Sequence, residues 1–167
     1  MAKIRNDFVT NSSSSSFILA FDSKEMGQYE IEDLTRKYGS DYIQILLEDF
    51  NSAEPIPVDS LKDYLKDEID NVIYDRLCWS TSNRKTYREK WYESHPEARR
   101  GDFENSPEFK TEAEKISNEF MSKFMTILGD RSYIVELEYG DHSYAGSKFE
   151  HEILPNADFV VEWFSHH

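Results

Sequence analysis

Cysteine is all but missing. The lone Cys78 leaves no internal disulfide to form, which argues against a disulfide-stapled secreted scaffold and for a reducing, cytoplasmic compartment. It falls on the apolar stripe of an expected helix, so it reads as a buried, inert thiol rather than a nucleophile. Glycine and proline are scarce too, six and five in 167 residues, which excludes collagen-like and Gly/Pro-rich low-complexity chains. No apolar run approaches the roughly 20 residues of a membrane-spanning helix. The opening Met1-Ala2-Lys3-Ile4-Arg5 is basic but leads into polar residues, without the apolar core or cleavage site of a secretory signal. Positive charge is the last shortage. Nineteen Lys and Arg face 33 Asp and Glu, a net charge of −14. Such a chain repels phosphate backbones, so direct nucleic-acid binding is not expected; its field favours cations and basic protein surfaces.

What is present is enough apolar and aromatic material, 38% and 14%, for a globular single domain over 1–167 with a buried core. The run Phe17-Ile18-Leu19-Ala20-Phe21 is apolar on both alternating faces and predicts a strand buried on both sides over 16–22. Ile31, Leu34 and Tyr38 predict a helix over 28–38 that stops at Gly39. Ile43, Leu46, Leu47 and Phe50 fit a second helix better than the strand that Ile43, Ile45 and Leu47 would also allow. Leu61, Tyr64, Leu65, Ile69, Val72, Ile73 and Leu77 mark a third, capped by Asp59 or Ser60. The basic stretch Arg84 to Arg100 is held to the body by Tyr87 and Trp91. Its charges are expected to pair with acids elsewhere in the molecule. Ser106-Pro107 opens the longest helix, which Gly129 ends. Strands are expected at Tyr133–Tyr139 and Phe159–Phe164, with a loop or short helix over 146–154 between them. The three tryptophans are read as core. The fold class is α+β: a small antiparallel or mixed sheet from the two ends of the chain, packed by helices from the middle.

Two features carry candidate chemistry. The first is Asn11 followed by the five serines Ser12, Ser13, Ser14, Ser15 and Ser16, a ligand-binding candidate whose hydroxyls and amides suit an anion such as phosphate. It lacks the glycines and lysine of a P-loop, and an ordinary polar tail is the competing reading. The second is histidine placement. His142, His151, His166 and His167 all lie in the last 26 residues, beside Asp141, Glu150 and Glu152. These four histidines are the metal-ligand candidates, with Zn or Mn as the divalent metal. Glu150 and His151 are the catalytic candidates. No HExxH or Cys ligand set is present, and solvated surface histidines on an acidic chain are the plain alternative. If the last two strands paired directly, His142 and the terminal histidines would lie at opposite ends of the sheet. A smaller site of Glu150, His151 and one terminal histidine escapes that objection.

The stretch Arg5-Asn6-Asp7-Phe8-Val9-Thr10-Asn11 with its serines and Phe17-Ile18 resembles the opening of a set of uncharacterised proteins from Firmicutes and their tailed phages. In those chains a basic residue, Phe-Val, Thr or Ser, Asn and a serine run precede an apolar strand. The usual glycine before Phe-Val is Asp7 here. The resemblance covers about fifteen residues well and the last thirty loosely, through Glu150-His151 and the histidine pair. It implies an intracellular accessory protein of a phage or mobile element, and no activity. It also implies that the serine run and the histidine-rich end act together.

Two functions follow as expectations. One is a Ser/His/Glu pocket for a phosphorylated or nucleotide-like ligand, with metal-assisted hydrolysis as a further step. The other is a non-enzymatic acidic inhibitor that covers a basic surface of a host or defence protein.

Overall fold

The computed structural model describes residues 14–79, 85–140 and 143–166; of Ser165 and His166 only the backbone is described. The chain divides into two compact units, Met1–Leu61 with Thr126–His167, and Lys62–Met125.

The first unit is built on β1 (Ser14–Phe21), the central strand of a three-stranded sheet ordered β2-β1-β3. Both partners, β2 (Tyr133–Tyr139) and β3 (Val160–His166), pair with it antiparallel. Five consecutive apolar residues, Phe17 to Phe21, dictate that place, since such a strand has no face or edge suited to water. The sheet is therefore antiparallel and made from the two ends of the chain, as expected. Because β2 and β3 flank β1 instead of pairing with each other, they run in the same direction. Their C-terminal ends both lie beside the start of β1, with Tyr139 opposite Ser15 and His166 opposite Ser14. The β1–β3 register shifts between Ile18, opposite Glu162, and Leu19, opposite Val160, which leaves Val161 as the extra residue of a bulge. The connector after Ala53 lies against β2, the Ile56 N–H donating to the Ile134 carbonyl at 2.7 Å.

Three helices and a helical turn cover the Phe17–Leu19–Phe21 face. The first, α1 (Lys24–Asp33), starts four residues before the expected Gln28, because Ser23 caps it by accepting the Met26 N–H at 3.2 Å. The expected continuous helix then breaks at Leu34, whose N–H reaches the Ile31 carbonyl at 3.1 Å in a tighter turn. It resumes as α2 (Thr35–Tyr38) and stops at Gly39, where φ is +90°. The segment open to either assignment is helical, α3 (Ser40–Ser52), and buries Ile43, Leu46 and Phe50. Phe50 packs edge-on to Phe21 at 5.3 Å between ring centroids. Gly27 makes room for both rings, since a Cβ there would lie 2.4 Å from Phe50 Cζ.

The second unit is helical. Leu61 opens α4 (Leu61–Tyr64), and a break at Leu65 separates it from α5 (Lys66–Cys78), whose stripe Ile69, Ile73 and Leu77 is buried. A reciprocal capping box of Thr86 and Glu89 starts α6 (Tyr87–Ser94), which ends at His95, just ahead of Pro96. After Gly101 come α7 (Asp102–Asn105) and, with Ser106 accepting the Phe109 N–H at 3.1 Å, α8 (Pro107–Leu128). Tyr87 and Trp91 pack on buried Phe103 at 6.0 and 5.6 Å, and so do hold α6 in place. Lys85 pairs with Glu93, and Arg88 with Glu104 at 3.6 Å, so these two basic residues find acids within their own unit. Trp79, expected in the core, is 68% exposed just past the end of α5. Cys78 is half-buried in the last turn of that helix, and burial raises its thiol pKa.

Candidate functional site

Of the loop or short helix expected over 146–154, the structure shows helix, beginning at Tyr144. Ser143 caps α9 (Tyr144–Lys148) by accepting the Gly146 N–H at 2.9 Å. Next comes a single π turn, Phe149–Ile153, and a short 3₁₀ turn, Leu154–Asn156. Along this run Gly146, Glu150, Ile153 and Leu154 are all buried, so Glu150 occupies a place on the apolar stripe. π turns are rare and concentrate at functional sites. This one carries both catalytic candidates.

Glu150 is only 8% exposed. One carboxylate oxygen, Oε1, accepts the Ser15 hydroxyl at 2.6 Å in a buried bond that joins residues 135 apart in sequence. The other, Oε2, is buried and makes no hydrogen bond among the described residues. His151 Nε2 lies 3.8 Å from that oxygen, beyond hydrogen-bond reach, and the His151 side chain is half exposed. A buried carboxylate with one satisfied and one orphaned oxygen is costly to fold around. The wall beside it is aromatic. Tyr139, opposite Ser15, packs on Phe149 at 4.6 Å and donates its hydroxyl to Asp49 Oδ2 at 2.7 Å. Burial, with the Asp49 carboxylate, pushes the Tyr139 pKa far up, so it remains a neutral donor.

The sequence candidates therefore divide. Ser15, Glu150 and His151 come together within one turn of helix and one strand end. Ser14 and Ser16 also belong to β1, and as members of a central strand their amides face neighbouring strands on both sides. An open amide nest for an anion is thus not what Ser14 to Ser16 form. Asn11, Ser12 and Ser13 lie outside the described residues, as do His142 and His167. The His166 backbone stands opposite Ser14, at the same sheet end as the Ser15–Glu150 bond. Among the described residues no group of three or more His, Cys, Asp or Glu is placed to hold a metal. Glu150 and His151 supply two donors.

A further carboxylate was not singled out by sequence. Glu162 sits opposite Ile18 on one side, as Glu136 does on the other, so the two flank a buried isoleucine across the sheet. Burial drives the Glu162 pKa up to about 7, despite a 3.1 Å hydrogen bond from the Trp163 N–H that opposes the rise. Its sequence signal was available: a lone acid in the otherwise apolar run Phe159 to Phe164. Compared with protein-family models, with curated proteins and with solved structures, the chain matches none of them.

Proposed function

We propose that Ser15, Glu150 and His151 form the binding site for a small phosphorylated or nucleotide-like ligand, in an accessory protein of the kind its opening motif implies. The observation that carries this reading is the orphaned, buried Glu150 Oε2. That oxygen is sealed from solvent in the free chain, so a ligand hydroxyl or ring N–H reaches it once the half-exposed His151 side chain moves aside, and then gives it the hydrogen bond it lacks. Ser15 holds the carboxylate in place through Oε1. His151, at the solvent edge, meets a ligand phosphate as a donor. In hydrolysis Glu150 would take the proton of the attacking water and His151 would give one to the leaving oxygen. A divalent Zn or Mn would find its first two donors in the same pair.

The test is calorimetric titration of the full chain with nucleoside mono- and diphosphates, with and without Mn²⁺ or Zn²⁺. Binding is expected for the wild type, with a loss of at least about tenfold in Glu150→Gln and a smaller loss in His151→Ala. Absence of binding under all these conditions, or binding indifferent to both substitutions, refutes the site.

A further inference from the structure

The negative charge is unevenly divided. The sheet-containing unit has 7 Lys and Arg against 19 Asp and Glu, whereas the helical unit has 12 against 14. Within the first unit α1 shows where this charge meets solvent. Gly27 and Ile31 face the core. The opposite side, at i, i+3 and i+4 spacing, carries exposed Glu25, Met26, Tyr29, Glu32 and Asp33, with exposed Asp22 just ahead of the helix. Tyr29 is 65% exposed and Met26 41%, an apolar centre left open to water. The three helical acids stand at i−4, i+3 and i+4 from Tyr29, so they ring the phenol on the helix surface. The one basic residue of α1, Lys24, points elsewhere, its Nζ donating to the Asn51 carbonyl at 3.2 Å.

This arrangement works against the helix that bears it. Glu32 and Asp33 sit in the last turn of α1, where the helix dipole disfavours negative charge; the next cations along the chain are Arg36 and Lys37 of α2, and Lys37 lies over the Tyr38 ring at 4.7 Å. At the other end, hydrogen bonds from its own backbone amide and from Ser23 lower the Glu25 pKa and keep it ionised. Acids held against the helix dipole mark a surface shaped for something other than stability.

We propose that the outward face of α1 docks an arginine-rich segment of a partner protein, a guanidinium stacking on Tyr29 between Glu25, Glu32 and Asp33. Arginine suits the place better than lysine: its planar group stacks on an aromatic face while its fork donates to carboxylates on either side. Met26 extends the apolar contact, and the acids form the charged rim that surrounds a buried anchor in protein interfaces. This face is on α1 and the small-ligand site is on the π turn, so either can fail without the other.

The test titrates the full chain with arginine-rich and lysine-rich peptides of about ten residues, at about 50 and 300 mM salt, followed by amide NMR. Resonances of residues 25–33 should move most, and the arginine peptide should bind more tightly. Tyr29→Ala and the triple change E25Q/E32Q/D33Q should each weaken binding about tenfold, and Tyr29→Phe, which keeps the ring, should not. The control triple E48Q/E54Q/D59Q removes the same charge from exposed sites of the same unit and should cost less than about twofold. Unchanged thermal midpoints show that the variants remain folded. Equal losses in the two triples would reduce the effect to bulk charge and overturn the proposal, as would shifts centred away from α1 or a Tyr29→Ala chain that binds like the wild type.

Discussion

Replacing Glu162 with glutamine tests the most quantitative claim about the sheet. Glutamine has the shape of the protonated acid and carries no charge to desolvate. In the folded chain the Glu162 pKa stands at about 7 against an ordinary 4.5, and burial is the dominant cause. The folded state therefore binds this proton more tightly than the unfolded state. The group's contribution is most favourable below pH 4.5, declines as pH rises toward 7, and is constant above. The full shift corresponds to about 3 kcal/mol lost at pH 8, and partial solvent access reduces the expected value to about 1–2 kcal/mol. Urea unfolding of both chains at pH 5, 6, 7 and 8 measures it. The E162Q chain should come closest to the wild type at pH 5 and exceed it by that amount at pH 8, with slower exchange of the β1 amides that face β3. A stability difference between the two chains that does not change across this range would falsify the reasoning, whatever its size.

Two further substitutions probe the packing around β1. Gly27→Ala should destabilise the chain by about 1–3 kcal/mol in the same assay, because its methyl would meet Phe50 Cζ at 2.4 Å and Phe21 Cδ2 at 3.0 Å; a neutral outcome would mean that α1 can slide off the sheet at little cost. Ser15→Ala strips the Glu150 carboxylate of its hydrogen-bond donor and should cost about 2–3 kcal/mol, and S15A combined with Glu150→Gln should recover at least about 1 kcal/mol of the summed single losses. Additive losses would show that the two side chains are not coupled.

The sheet was legible because its signals are local and strong. Five consecutive apolar residues have only one stable position, and the alternation of Tyr133 to Tyr139 reproduces β2 to the residue. Ser106-Pro107 and Gly129 likewise bracket α8 by cap chemistry alone. The breaks at Leu34 and Leu65 were not legible, since neither is marked by proline or glycine. At the site, Glu150 and His151 were visible as residue types, but the reason for expecting them was proximity to other histidines. What places Glu150 is its position in the stripe Gly146, Glu150, Ile153 and Leu154, a helical pattern hidden because a charged residue fills a buried slot. The outward face of α1 around Tyr29 was missed for a related reason. Exposed tyrosines and acids on a helix read as ordinary solvated surface until their angular spacing around Tyr29 is known.

Because β1 is the middle strand, its folding has an awkward schedule. Phe21 waits for Tyr133, and Leu19 for Val160, so more than a hundred residues must be made before either edge of the most apolar strand finds its neighbour. During synthesis Phe17 to Phe21 emerges as an unpartnered, sticky ribbon while the helices of Lys62–Met125 are still being added. A nascent chain of this design depends on being shielded at its front until its back arrives, and conditions that slow translation should harm its yield more than they harm the finished protein.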